Sequence, residues 1–233
     1  MGHYHNPQII LDGLIFAIDA ANPRSYSGSG ITVNDIVAGS GGTLVGTTYS
    51  SVNAGTFVFD GVDDYINIPY PSGINTGSPI TLCLWAKWIT VGTDTSTIQV
   101  LVDNNYQTSP GSIGFEIQDR PDLGKVLEWG AQPGAGITRC TSDFQVGDGT
   151  WRHITGTNDG ATSILYVDGV QSGLARTAAG IGSSQAYINI GRWDFGNNRN
   201  MNGSISGLMI YNRALSAKEV LKHYNSTKSR YGY

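Results

Sequence analysis

The sequence is short of charge, and nowhere is the charge concentrated. Lys and Arg number 14 and Asp and Glu 18 among 233 residues, a net charge of −4, with no Lys/Arg block. Binding to nucleic acid or an anionic membrane surface needs a basic footprint that displaces counterions, so both partner classes are disfavoured. No apolar run approaches the roughly 18 residues of a membrane span. The N-terminus, MGHYHNPQ, lacks the basic, then apolar, then small-residue order of an export signal. The expectation is a chain made and folded in a cytoplasm, with Cys83 and Cys140 as two reduced thiols. Cys83 lies in an apolar stretch and is expected as a small buried hydrophobe.

Catalytic motifs are scarce as well. No G-x-S-x-G, phosphate-cradling glycine loop or zinc-type Cys/His spacing occurs, and His153 lies within a strand, TWRHITGT, away from any nucleophile. His3 and His5 form an H-x-H pair that would hold a metal only where several chains met; a solvated terminus is the simpler reading.

What the chain has is glycine, 32 of 233, with 39% apolar and 10% aromatic residues. Many tight turns and a buried core follow, which suits an all-β domain. The stretch TFVFDGVDDYINIP, residues 56 to 69, shows the pattern: two short strands around an acidic glycine turn. Strands are expected at 13–19, 43–45, 56–59, 65–68, 79–88, 97–103, 112–117, 125–130, 150–157, 186–191 and 204–211. The 79–88 strand, apolar on both faces, belongs at the centre of a sheet. Within 163–174, Asp168-Gly169 is a two-residue hairpin signal, with Asp168 serving the turn alone. Ser216 followed by Glu219 forms a capping box and opens the one expected helix, 216–225. Its apolar stripe, Val220, Leu221 and Tyr224, is expected to cover one end of the sandwich.

Four segments carry a resemblance: GLIFAIDAANPRSY (13–26), FVFDGVDDYINIP (57–69), GTWRHITGTNDG with LYVDG (149–169), and NGSISGLMIYNRALSAKEV (202–220). Together they resemble the laminin-G-like jelly-roll group of the concanavalin A-like lectin and glucanase superfamily. The resemblance implies an antiparallel two-sheet jelly-roll sandwich with one short C-terminal helix. The layout it suggests is an N-terminal extension (1–12), one domain (13–226) and a short tail (227–233). The tail would dock on a neighbour or stay disordered. The segments NPQIILDGLIFAIDAANPRSY and YNSTKSRYGY are further similar to a subgroup found in structural proteins of tailed phages, notably cyanophages. That similarity implies a virion surface protein, assembled in a host cytoplasm, with other virion proteins as partners. It would be a homo-oligomer serving as head decoration or tail fibre, binding host surface polysaccharide. The stretch 31–46 departs from the family pattern, which is richer there in Trp, Asp and Asn-Gly.

Three site readings follow. The glucanase branch places paired carboxylates on one strand as E-x-D-x-x-E, and that motif is absent. Glu116 and Asp119 point to opposite faces of a strand, Glu128 stands alone, and Glu219 is the only other glutamate. A non-enzymatic module is therefore expected, with a glycan-cleaving enzyme or a purely structural adaptor as alternatives. For sugar binding, the loop 192–202 supplies Trp193, Asp194, Phe195, Asn197, Asn198, Arg199 and Asn200: a ring to stack on a pyranose, and planar polar groups for its hydroxyls. The competing reading tucks its aromatics onto the sandwich. For a metal, Asp60, Asp63 and Asp64 offer oxygens to calcium, or else bond their own turn. No cofactor is required.

Overall fold

The computed structural model describes residues 9–75, 77–104, 113–133, 139–178, 187–193 and 199–233. His3 and His5 lie outside them. The strands in chain order are β1 (Leu14–Asp19), β2 (Thr32–Asn34), β3 (Gly41–Val45), β4 (Thr48–Ser50), β5 (Thr56–Asp60) and β6 (Tyr65–Pro69). Then come β7 (Ile80–Trp88), β8 (Gln99–Asp103), β9 (Ile113–Arg120), β10 (Val126–Pro133) and β11 (Arg139–Thr141). The chain continues through β12 (Arg152–Asn158), β13 (Thr162–Val167), β14 (Val170–Gln171), β15 (Arg176–Thr177), β16 (Tyr187–Ile190) and β17 (Asn202–Tyr211) to the helix α1 (Ala217–Thr227).

These strands form two antiparallel sheets. The first runs β14-β13-β12-β7-β17-β5-β4, with β1 on β17 and β15 on β13; the second runs β11-β10-β9-β8-β16-β6-β3-β2. As expected, β7 is central, paired with β12 on one side and β17 on the other. Period-2 alternation sends Leu82, Leu84, Ala86 and Trp88 inward from β7, and Ile66, Ile68, Phe115, Ile117, Leu127 and Trp129 inward from the second sheet. Trp129 ties the layers together: its indole N–H donates to the Thr157 carbonyl at 3.0 Å. Its ring lies so close to Gly156 that a Cβ there would sit 2.3 Å away.

The stretch 31–51 holds three strands where the sequence suggests one. These are short strands toward the sheet edges, and Val33 and Leu44 are their only core residues, too brief a pattern to read by alternation. Buried Asp35 fixes the segment, its carboxylate accepting from the backbone N–H groups of Ala17, Val37 and Ala38, each at 2.9 Å.

The capping box forms, with the Ser216 N–H donating to Glu219 Oε2 at 2.8 Å. Arg213 clamps the same carboxylate at 3.0 and 2.6 Å and, with the cap, holds it down to about 2. The helix lies on the outer face of the first sheet rather than on one end of the sandwich. It buries Val220 and His223 and leaves Leu221 exposed. Asp168 does more than make a turn. It accepts from the His153 N–H at 2.9 Å and from Arg152 at 3.0 Å. Gly169, at φ 81°, lets the Tyr224 side chain approach to 2.9 Å of where a Cβ would stand.

The last residues pack on the same face. Tyr231 stacks on Trp85 with centroids 4.0 Å apart, and its hydroxyl meets that of Ser206. Arg230 pairs with Asp19 at 2.8 Å and donates to the carbonyls of Asn53 and Gly55. Tyr233 donates to the Trp151 carbonyl at 2.5 Å. Cys83 and Cys140 are both free and buried, one under α1 and the other between the sheets. No helix among the described residues is long and apolar enough to cross a membrane.

Candidate functional site on the outer face of the second sheet

The alternation that sends Phe115 and Ile117 inward turns Glu116, Gln118 and Arg120 outward. Strand register extends this polarity across the sheet. Thr43 pairs with Asn67, Asn67 with Asn189, Asn189 with Asp103, Asp103 with Glu116, Glu116 with Gly130, and Gly130 with Arg139. One residue row of the sheet is thus polar in every strand from β3 to β11 except at Gly130. The Asn67 amide donates to that of Asn189 at 3.0 Å. Asn189, Asp103, Glu116, Gln118 and Glu128 are buried, which for this many polar groups on an outer face requires fixed partners.

Arginines supply them. Arg139 donates to Glu116 from Nε at 2.6 Å and also from Nη2. Arg120 donates to Glu128 at 2.7 Å and grips Asp122 in a two-pronged contact at 2.8 and 2.7 Å. The Gln118 amide lies between the acids, 3.0 Å from Glu128 and 3.5 Å from Glu116. Glu128 therefore does not stand alone. The β9–β10 hairpin sets it opposite Gln118, one diagonal from Glu116, a neighbour that no linear motif displays. Asp119 points the other way, as expected. It accepts from the Thr90 hydroxyl at 2.9 Å, and burial pushes its carboxyl up to about 7, offset in part by that bond.

Trp193 and Arg199 of the 192–202 loop meet on this side. The Arg199 guanidinium lies 4.5 Å over the Trp193 ring, and Arg192 lies 3.4 Å over Tyr65. Burial lowers the pKa of Arg199, against the pull of Glu116, and Arg120 and Arg139 push it down further. Arg199 is thus within reach of the acid–arginine cluster. The loop is anchored by the Val100 N–H to the Arg199 carbonyl at 3.1 Å and the Met201 N–H to the Gly191 carbonyl at 2.8 Å. Asn200 is an anchor too, donating to the Val62 carbonyl. Asp194, Phe195, Asn197 and Asn198 lie outside the described residues.

The Val62 contact brings the loop against the acidic turn. There the Asp64 carboxylate accepts from the Asp60 N–H at 2.9 Å, and the Asp60 carboxylate from the Val62 N–H at 2.8 Å. The turn bonds itself. The carboxylates of Asp60, Asp63 and Asp64 nonetheless converge, one oxygen from each within 4.8 Å of the others. Asp64 is the buried member. Its pKa is raised by burial and by its two acidic neighbours, against the Asp60 N–H that lowers it.

The architecture and the match to a family profile coincide. The chain belongs to the concanavalin A-like lectin/glucanases superfamily, whose laminin-G profile matches residues 60–221. No curated protein matches the chain. Among solved structures, the binding domain of Paraclostridial Mosquitocidal Protein 1 superposes at TM-score 0.72 with 19% identity, covering 92% of this chain and 52% of that one. Domain 4 of AbnA, an extracellular arabinanase from Geobacillus stearothermophilus solved with arabinotriose, gives 0.65 with 16% identity, covering 91% and 98%. Trypanosoma rangeli sialidase in complex with sialic acid gives 0.67 with 14% identity, covering 95% and 34%. At these identities the likeness is one of fold. The chain spans about half the length of the toxin binding domains it matches.

Proposed function

We propose that the chain is a non-enzymatic glycan-binding module, and that its ligand sits on the outer face of the second sheet beside Trp193 and Arg199. The observation that carries this reading is the row of acid, amide and guanidinium groups fixed by one another, with an aromatic–arginine stack at its side. Sugar hydroxyls are bound best by planar donors and acceptors that need no reordering, next to a ring that covers the apolar face of a pyranose. The arabinanase domain of like fold, seen with arabinotriose, supports a saccharide as ligand class. A groove on the outer side of the first sheet, about 580 Å³, has Trp151, Asn202 and Ser204 among its lining but is otherwise largely apolar, with Val52, Val58, Ile89 and Val91, and Lys87 is its one charged group.

A glycan-cleaving enzyme is the second reading, favoured by the approach of Glu116 and Glu128. Against it, hydrolysis requires one carboxyl to hold a proton for the leaving group. Each of these acids instead accepts a hydrogen bond from a guanidinium, Glu116 from Arg139 and Glu128 from Arg120, so neither presents a free carboxyl group to a leaving oxygen.

In this reading the module is displayed on a tailed-phage particle and meets bacterial surface polysaccharide there. It associates with copies of itself and with other virion proteins. The similarity of residues 6–26 and 224–233 to phage structural proteins supports that setting. Titration of the wild-type chain with envelope polysaccharides, calcium present, tests the binding. Saturable binding that falls in Trp193→Ala and Arg199→Ala supports it, and no binding to any of them removes it. Release of reducing ends would favour the enzyme. A mass-spectrometric copy number in purified particles tests the virion placement: hundreds per particle fit head decoration, a few tens or fewer a fibre, and none overturns it.

A further inference from the structure

The outer face of the first sheet carries a second cluster, unrelated to sugar binding. Cys83 on β7 pairs directly with Met209 on β17 and with Thr155 on β12. His153 stands two residues before Thr155 on the same face of β12, and α1 lowers His223 onto the group. The His223 ring nitrogens make two contacts: Nδ1 lies 2.9 Å from His153 Nε2, and Nε2 lies 3.2 Å from Met209 Sδ. One ligand atom each from Cys83, His153 and His223 lies within 4.8 Å of the others. Three elements, β7, β12 and α1, thus bring a thiol and two imidazoles together, with the Met209 thioether at the other nitrogen of the His223 ring.

We propose that Cys83, His153 and His223 form a buried site for one soft transition-metal ion, copper(I) or zinc. A thiolate with two imidazoles serves either ion. At a metal–nitrogen distance of about 2.0–2.1 Å, tetrahedral ligands stand about 3.3 Å apart. The two imidazole nitrogens would therefore separate by about 0.4 Å, breaking one hydrogen bond as the ion enters.

Two further features suit the assignment. A cavity of about 210 Å³, lined by Cys83, Trp85, Met209, His223, Thr227 and Tyr231, adjoins the ligands and offers the ion a route. The Thr155 hydroxyl donates to Cys83 Sγ at 3.3 Å, the kind of outer contact that orients a sulfur ligand. The Cys83 thiol gives its proton to solvent as the ion binds.

The test is to load the full chain anaerobically with copper(I), or separately with zinc, and to compete each ion against a chromophoric chelator. Wild type and Cys140→Ser, which alters the other buried cysteine, are expected to retain one ion per chain with sulfur-to-metal absorption in the ultraviolet. Cys83→Ser and His223→Gln are expected to lose retention by at least tenfold, with near-ultraviolet circular dichroism confirming that each still folds. A melting temperature raised by copper in wild type and not in Cys83→Ser would give the same answer without a chelator. Failure of wild type to retain either ion, or equal retention by Cys83→Ser, overturns the site.

Discussion

The two outer faces of the sandwich begin from the same alternation and end differently. On the second sheet the outward residues are acids, amides and arginines, joined across strands into a row. On the first sheet they are Cys83, Trp85, His153 and Met209, roofed by α1 and by Tyr231. A carboxylate under cover needs a charged partner, so the second face is held by ion pairs. A face closed by aromatic rings and neutral imidazoles gains instead from packing and needs no counter-charge. One face is therefore suited to hydroxyl-rich ligands and the other to closing off the fold.

Substitutions that remove each kind of support separate the two. The largest effect is expected on the roofed face. Tyr231→Ala strips the ring from Trp85 and is expected to cost about 4 kcal/mol in denaturant unfolding, in the range of core aromatic truncations. On the charged face, Arg139→Met leaves the buried Glu116 without its guanidinium and is expected to cost about 3 kcal/mol. Adding Glu116→Gln to that variant should recover most of the loss, since the uncompensated charge is then gone. If the single and double variants are equally unstable, ion pairing is not what holds this face.

Asp119, on the inner side of the same strand, gives a prediction in pH. Its folded pKa stands near 7, raised from an ordinary value of 3.8. The neutral carboxyl therefore contributes stability that is complete below about pH 4 and lost as pH rises through 7. Asp119→Asn keeps an acceptor for Thr90 and cannot ionise. Relative to wild type it should gain on the order of 2 kcal/mol between pH 5 and pH 8 in paired urea titrations. A constant difference across that range would contradict the burial of this carboxyl. The smallest effect belongs to Asp63, exposed and outside the turn's own acceptor pairs. Asp63→Asn should change stability by less than about 0.5 kcal/mol, and melting curves in chelator and in millimolar calcium should separate only if the three aspartates bind the ion.

The fold was legible where elements were long or punctuated. The two-faced apolarity of β7, the Asp168-Gly169 hairpin and the Ser216/Glu219 cap all announce themselves over a few residues. The 31–51 strands did not, because a three-residue strand with one core anchor has no period to detect. The site was legible only in part. Trp193 and Arg199 were found as an aromatic and a cation in one polar loop, and Asn200 was counted as a ligand group although it bonds the chain to itself. Glu116 with Glu128, and Cys83 with His153, His223 and Met209, come together through strand pairing and a helix docked from far along the chain. Their spacing in the sequence carries no trace of that.

Binding of polysaccharide by wild type and by Arg199→Ala, followed by isothermal titration, tests the central claim most directly. Arg199 lies over Trp193 beside the acid row. The account predicts at least tenfold weaker binding in the variant, with a melting temperature within a few degrees of wild type. Undiminished binding by a folded Arg199→Ala would place the ligand elsewhere and contradict it.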